Sequence, residues 1–187
     1  MRQKENGFTM IEITIVLSIL GVLFLVANPA LESTREKVAI NSIMKQVQSA
    51  IALARQTALM ENSMVTYCRS NDGFHCQGRW HQGSIVFTDK NRDRKINEDD
   101  RLVHYFQPVT VAGELRFNSF GNKQYVQLNS RGFTHYQSGN FTFCPSDKDP
   151  TMARQLVLNH LGRIRVATDK DGDGIVENSQ GKPLSCK

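Results

Sequence analysis

The sequence predicts an α+β fold in which a long N-terminal helix is laid against antiparallel β-sheet. Three observations lead there. Residues 8–27 form an apolar run of twenty broken by a single charge, Glu12. The residues that follow, to about Asn62, carry a helical hydrophobic period. Beyond Ser63 the pattern changes to short runs of strand formers separated by Gly, Asn and Asp.

The composition fits one domain plus an anchor. The chain has 187 residues, of which 40% are hydrophobic and 22% charged, which excludes acidic disorder and low complexity. Net charge is +5, weakly basic, so contact with nucleic acid or anionic surfaces is permitted but not required. One apolar run excludes a polytopic membrane protein.

The first element is the apolar run. Twenty helical residues rise about 30 Å, the thickness of a hydrocarbon core. Arg2 and Lys4 precede it, which predicts a cytoplasmic N-terminus and a globular part beyond the inner membrane. A secretory h-region is shorter and ends in a small-x-small site, whereas here the small residue at a processing point, Gly7, stands before the run. Glu12 is the anomaly. A carboxylate inside a membrane helix costs on the order of 2.5–3.5 kcal/mol on insertion scales, so it is a functional candidate. The alternatives are a residue snorkelling near the helix end or a carboxylate that pairs with a cation, such as a neighbour's N-terminal amine, after assembly.

The second element is the helix continuation. Asn28-Pro29 weakens the helix, because proline removes a backbone donor. Val38, Ile40, Ile43, Met44, Val47, Ile51, Ala54, Ala58 and Leu59 then recur at i, i+3/i+4 spacing and predict one buried stripe. The strand candidates are 64–69, 83–88, 101–106, 114–117, 124–128, 131–136, 140–144, 155–158 and 163–167, read as antiparallel meanders.

Gly7-Phe8-Thr9-Met10-Ile11-Glu12 resembles the class III signal of type IV prepilins and type II secretion pseudopilins. The resemblance implies a pilin-like fold, a leader peptide at 1–7, cleavage between Gly7 and Phe8 by a prepilin peptidase, N-methylation of Phe8, and an assembly role for Glu12. It further implies a transmembrane and assembly helix at 8–28 and a periplasmic globular domain at 29–187 that includes the amphipathic helix 30–62. Gly21 and Pro29 fall where the family places helix-weakening residues. Cys68 and Cys76 followed by Trp80-His81-Gln82-Gly83-Ser84-Ile85-Val86-Phe87-Thr88-Asp89, the Asn129-Ser130-Arg131-Gly132 turn, and Leu161-Gly162-Arg163-Ile164-Arg165-Val166 are similar to the FimT, FimU and GspH branch. The implied partners are other pilins or pseudopilins, the peptidase and inner-membrane lipid before assembly.

Four cysteines, Cys68, Cys76, Cys144 and Cys186, allow three pairings. An extracytoplasmic location favours disulfides. Cys68 and Cys76 flank the turn signal Asn71-Asp72-Gly73, so we expect them to pair and Cys144–Cys186 to anchor the tail. A zinc site from Cys68, His75, Cys76 and His81 is the rival, but its spacing lacks a Cys-x(2–4)-Cys unit.

Two acidic segments resemble calcium loops. Asp89, Asn91 and Asp93 stand at loop positions one, three and five of the first, with Arg94 where the turn glycine belongs. Asp169, Asp171 and Asp173 take those positions in the second, with the expected Gly174 but Gln180 at position twelve. The ligand sets favour hydrophilic turns over calcium, and no metal or cofactor is expected. No catalytic motif is present, so an enzyme is not expected.

Gly162-Arg163-Ile164-Arg165 places two guanidiniums about 7 Å apart on one strand face, a spacing suited to successive phosphates of duplex DNA. It resembles the DNA-binding motif of FimT-type minor pilins used in natural transformation. The alternative is a solvated edge strand, or one paired with Asp169 and Asp171. The function expected from these readings is a minor pilin, in assembly initiation or at the pilus tip, with DNA capture on the same scaffold. A pseudopilin of a type II secretion system is the alternative.

Overall fold

The structure, a computed structural model, describes residues 7–186, and the side chains of 25–33 lie outside that description. The expected leader therefore lies outside the described residues except for Gly7. By contacts the chain divides into two units, Met1–Lys37 and Val38–Lys187, nine residues beyond the boundary the sequence predicts.

One helix, α1, runs Met10–Met60 and crosses that division. Asn28-Pro29 does not end it: a proline costs one backbone hydrogen bond, and strong helix formers continue on either side. From Met10 to Phe24 the side chains are exposed on every face, with Ile11 at 67%, Leu17 at 62% and Phe24 at 71%. Among the described residues no helix is long and apolar enough to cross a membrane. The expected span at 8–28 runs into residues whose side chains are not described.

In the second unit the helix buries Ile40, Ile43, Met44, Val47, Ala50, Ile51, Ala54 and Ala58. Their spacing places them on one face. Val38 and Leu59, expected in the same stripe, are exposed at 62% and 48%. They close the apolar period in sequence but flank the stripe in space.

Eight strands follow: β1 (Val65–Arg69), β2 (Ser84–Thr88), β3 (Leu102–Phe106), β4 (Gly113–Ser119), β5 (Tyr125–Leu128), β6 (Gly139–Pro145), β7 (Arg154–Leu158) and β8 (Ile164–Val166). They form two four-stranded antiparallel sheets, ordered β3-β2-β1-β5 and β4-β6-β7-β8. One core joins the helix to both, through Tyr67, Val86 and Val126 of the first sheet and Phe117, Phe141, Phe143 and Leu156 of the second. Trp80, on a single 3-10 turn, sits between Tyr67 (ring centroids 5.1 Å apart), Phe117 (5.9 Å) and Phe141 (5.1 Å).

The candidate strand 131–136 is a turn instead. The amide of Gly132 donates to the carbonyl of Asn129 at 2.7 Å, and the Asn129 Oδ1 accepts from the amides of Arg131 and Phe133. Gly132 and Tyr136 take positive φ, at 75° and 66°, which no strand contains, and only Thr134 makes a bridge, to Leu128.

The first sheet is covered on both faces. Cys68, Ile85 and Phe87 point away from the helix into a second cluster with Ile96, Leu102, Tyr105 and Tyr125. The loop tied by Cys68–Cys76 and the loop 89–100 supply that cover. Cys144–Cys186 fastens the tail, where Ala153, Ala167, Val176 and Leu184 form a third small cluster. Both pairs bridge Cα atoms 5.5 Å apart, and there is no free thiol to build a zinc site.

Candidate functional site

Four places carry the residues singled out above. At the N-terminus, Gly7 and Phe8 are exposed, Phe8 at 85%, so the bond between them is accessible. Thr9 and Glu12 form a capping box that starts α1. The Thr9 amide and hydroxyl donate to Glu12 Oε2 at 2.8 and 2.9 Å, and the Glu12 amide donates back to Thr9 Oγ1 at 3.3 Å. Within a single chain, the Glu12 carboxylate is therefore held by its own Thr9. The Thr9 partner went unread in the sequence, although the Thr-x-x-Glu spacing is the signal for it.

The second place is the loop 89–100. Asp89 is fully buried, and its Oδ2 accepts from Thr66 Oγ1, from Gln127 Nε2 at 2.9 Å and from the Arg94 amide at 3.2 Å. Its Oδ1 has no hydrogen-bond partner. Arg94 holds the glycine position at φ 65°. Asp93 is bound by Asn97, by the Lys95 amide and by Asn91, which hold its carboxyl below the usual range. The carboxylates here serve the loop and the sheet beneath it. They do not converge.

The third place is the loop from Asp169. The carboxylate oxygens of Asp169, Asp171, Asp173 and Glu177 lie within 4.8 Å of one another. The amides of Gly172 and Gly174 donate to Asp169 and lower its pKa. Glu177 is buried at 6% exposure and accepts from the Lys170 amide at 2.9 Å. The sequence reading looked for the last acid at loop position twelve and missed Glu177 at position nine.

The fourth place is the end of the second sheet. Arg165 lies opposite Val157 on β8, and Arg163 immediately precedes the strand. Both side chains are exposed, and neither makes an ion pair with a described residue, so the expected alternative pairing with Asp169 and Asp171 is not formed. Gly162 is buried at φ 69°, and a Cβ on it would stand 2.3 Å from the carbonyl oxygen of Gly132. That carbonyl also accepts from Arg55 Nε of α1 at 3.2 Å. Helix and both turns thus meet at one oxygen. Arg55 escaped the sequence reading because a lone arginine on a helix carries no local signal of a turn 77 residues away.

A family model described as type II transport protein GspH matches residues 44–162, more than half of the chain. A second, the prokaryotic N-terminal methylation motif, matches residues 2–28. Two crystal forms of the type IV minor pilin FimU of Pseudomonas aeruginosa (strain PAO1) are structurally similar. The first has a TM-score of 0.56 at 14% identity, covering 83% of this chain and 98% of that one. The second has a TM-score of 0.52 at 15% identity, covering 79% and 99%. The likeness is one of fold. No curated protein sequence is significantly similar to the chain.

Proposed function

Because the chain belongs to the type II transport protein GspH family and opens with the prokaryotic N-terminal methylation motif, we propose that it is a minor subunit placed at the start or tip of a type IV pilus. The chain is a minor pilin or pseudopilin, a structural protein that associates with other pilins. In the finer reading, a prepilin peptidase cuts between Gly7 and Phe8 and methylates Phe8. The helix 8–28 then holds the chain in the inner membrane with 29–187 in the periplasm, until the helix moves into a filament.

The observation that carries this reading is the first unit of α1. Between Met10 and Phe24 its apolar side chains are exposed on all faces, and the one charge in that stretch, Glu12, stands at the helix start. A helix apolar all round is stable only where lipid or other helices surround it. The test follows a tagged chain in its own host. Recovery of the processed chain in sheared pili, with loss of piliation on deletion, is the expected outcome. Normal piliation with blocked protein export would favour the second reading, a pseudopilin of a type II secretion system, which the name of the matched family supports.

The same scaffold is proposed to bind duplex DNA through Arg163 and Arg165. Two exposed guanidiniums without acidic partners support it. Contacts to phosphate alone predict weak, sequence-indifferent binding, around 10⁻⁴–10⁻⁶ M at physiological salt. A salt titration of the full chain in non-ionic detergent on two unrelated duplexes tests it. Replacing both arginines by glutamine is expected to lower the log–log slope by about 2. Wild-type affinity and slope in the folded double variant would return β8 to the role of a solvated edge.

A further inference from the structure

We propose that Arg55 of α1 and Arg163 form the two arms of a phosphodiester cradle, seated where the Gly132 and Gly162 turns meet the helix. This rests on the nucleic-acid reading above and moves its centre from β8 toward the helix. An open cavity of about 430 Å³ lies there, lined by Gln48, Ala52 and Arg55 on the helix side and by Gly162, Arg163 and Ile164 on the other. No carboxylate lines it, and neither arginine makes an ion pair with a described residue. Two arginines that line one cavity without an acid raise the local positive potential and favour an anion there.

The geometry also prepares Arg55. Its Nε donates to the Gly132 carbonyl at 3.2 Å, which fixes the plane of the guanidinium and leaves both terminal nitrogens to donate elsewhere. A planar fork held in this way loses little freedom when it takes two phosphate oxygens. Gly132 and Gly162 make the anchor possible. A Cβ on Gly132 would stand 2.9 Å from Arg55 Nε, and one on Gly162 would stand 2.3 Å from the carbonyl that Arg55 holds. Gly132 thus leaves room for Arg55 itself and Gly162 for the carbonyl that holds it, and Arg165, which does not line the cavity, is an outlying contact.

The experiment uses the isotope-labelled full chain in non-ionic detergent. Inorganic phosphate, a short duplex and a soluble short-chain phosphatidylglycerol are titrated in turn, with the Arg55 Nε–H and Gly162 amide resonances followed by NMR. Phosphate and duplex are expected to shift both resonances. In a parallel salt titration on the duplex, Arg55→Gln and Arg163→Gln are each expected to lower the log–log slope by about 1. If Arg55→Gln keeps the wild-type slope while Arg163→Gln with Arg165→Gln loses it, DNA binding stands and the cradle falls. If the duplex does not bind but phosphate shifts Arg55, the cradle stands and the DNA reading falls. Stronger shifts from the lipid headgroup than from the duplex would overturn the nucleic-acid assignment. Resonances of Arg55 unmoved by any of the three would overturn the cradle, whatever the variants do to folding.

Discussion

The indole Nε1 of Trp80 donates to Gln124 Oε1 at 3.1 Å, and the amide of the same glutamine donates onward to the Phe117 carbonyl at 3.0 Å. Gln124 directly precedes β5 of the first sheet, and Phe117 belongs to β4 of the second. One side-chain amide therefore ties the two sheets together over the aromatic cluster that both bury.

Trp80→Phe should keep most of the ring burial but leave Gln124 Oε1 without its donor, at a cost of about 1–2 kcal/mol. Trp80→Ala should cost about 3–5 kcal/mol, because it also opens a cavity among Tyr67, Phe117 and Phe141. Urea unfolding of the full chain measures both. Equal losses in the two variants would mean that the hydrogen bond, and not the packing, holds the seam.

Glu12→Ala should leave the chain cleaved and membrane-inserted but poorly incorporated into filaments. Its carboxylate is held by Thr9 within one chain, a bond that an assembled neighbour's cation has to replace. Comparing membrane and sheared-filament fractions by immunoblot checks it, and normal filament content of the variant would refute the assembly role.

Gly162→Ala should destabilise the second unit by more than Gly172→Ala. Both positions have positive φ, 69° and 82°, so the backbone strain of about 1–3 kcal/mol is common to them. Only at 162 would the new methyl meet a backbone oxygen, whereas nothing lies within 4 Å at 172. The difference between the two thermal midpoints isolates the clash, and equal midpoints would remove it from the account.

Asp72 makes the 68–76 loop sensitive to acid. The amides of Phe74 and His75, and then the His75 ring, donate to its carboxylate and hold its pKa below the ordinary 3.8. A depressed carboxylate stabilises the fold above its unfolded pKa, and that contribution is lost as pH falls through the folded one. The loop should therefore keep its amide shifts as pH falls past the ordinary 3.8 and lose them only in stronger acid, and Asp72→Asn should abolish that step. A midpoint at or above the ordinary value would contradict the bonding described.

The N-terminal signal, the helix and the Cys68–Cys76 pair were readable because each is a local pattern: a hexapeptide, a 3.6-residue period, and cysteines flanking a turn; Cys144–Cys186, 42 residues apart, then took the two cysteines that remained. The partition into two sheets was not, because strand runs do not state their partners. Phe117 and Tyr67 are alike in sequence and lie in different sheets. The segment 131–136 read as a strand from its Phe, Thr, His and Tyr, but the side chain of Asn129 captures two amides and turns the chain first. At the candidate sites, spacing made Asp89 a calcium candidate weaker than the hydrophilic turn, and did not reveal that its Oδ2 accepts from Thr66 and Gln127, which lie far from it in sequence. Arg55 and Glu177 were invisible for the related reason that their roles depend on what the fold brings beside them.

The disulfide between Cys144 and Cys186 also sets how the protein responds to mechanical load. Residues 145–185 lie inside a covalent ring closed over a separation of 42 residues. Tension between the helix and the end of the chain passes from one sulfur to the other and bypasses that ring, which includes β7, β8 and Arg163. At about 3.3–3.6 Å per residue, on the order of 140 Å of chain is withheld from extension. A subunit pulled in a filament can give up its earlier strands while the β8 hairpin stays folded, and only a reductant makes that hidden length extensible.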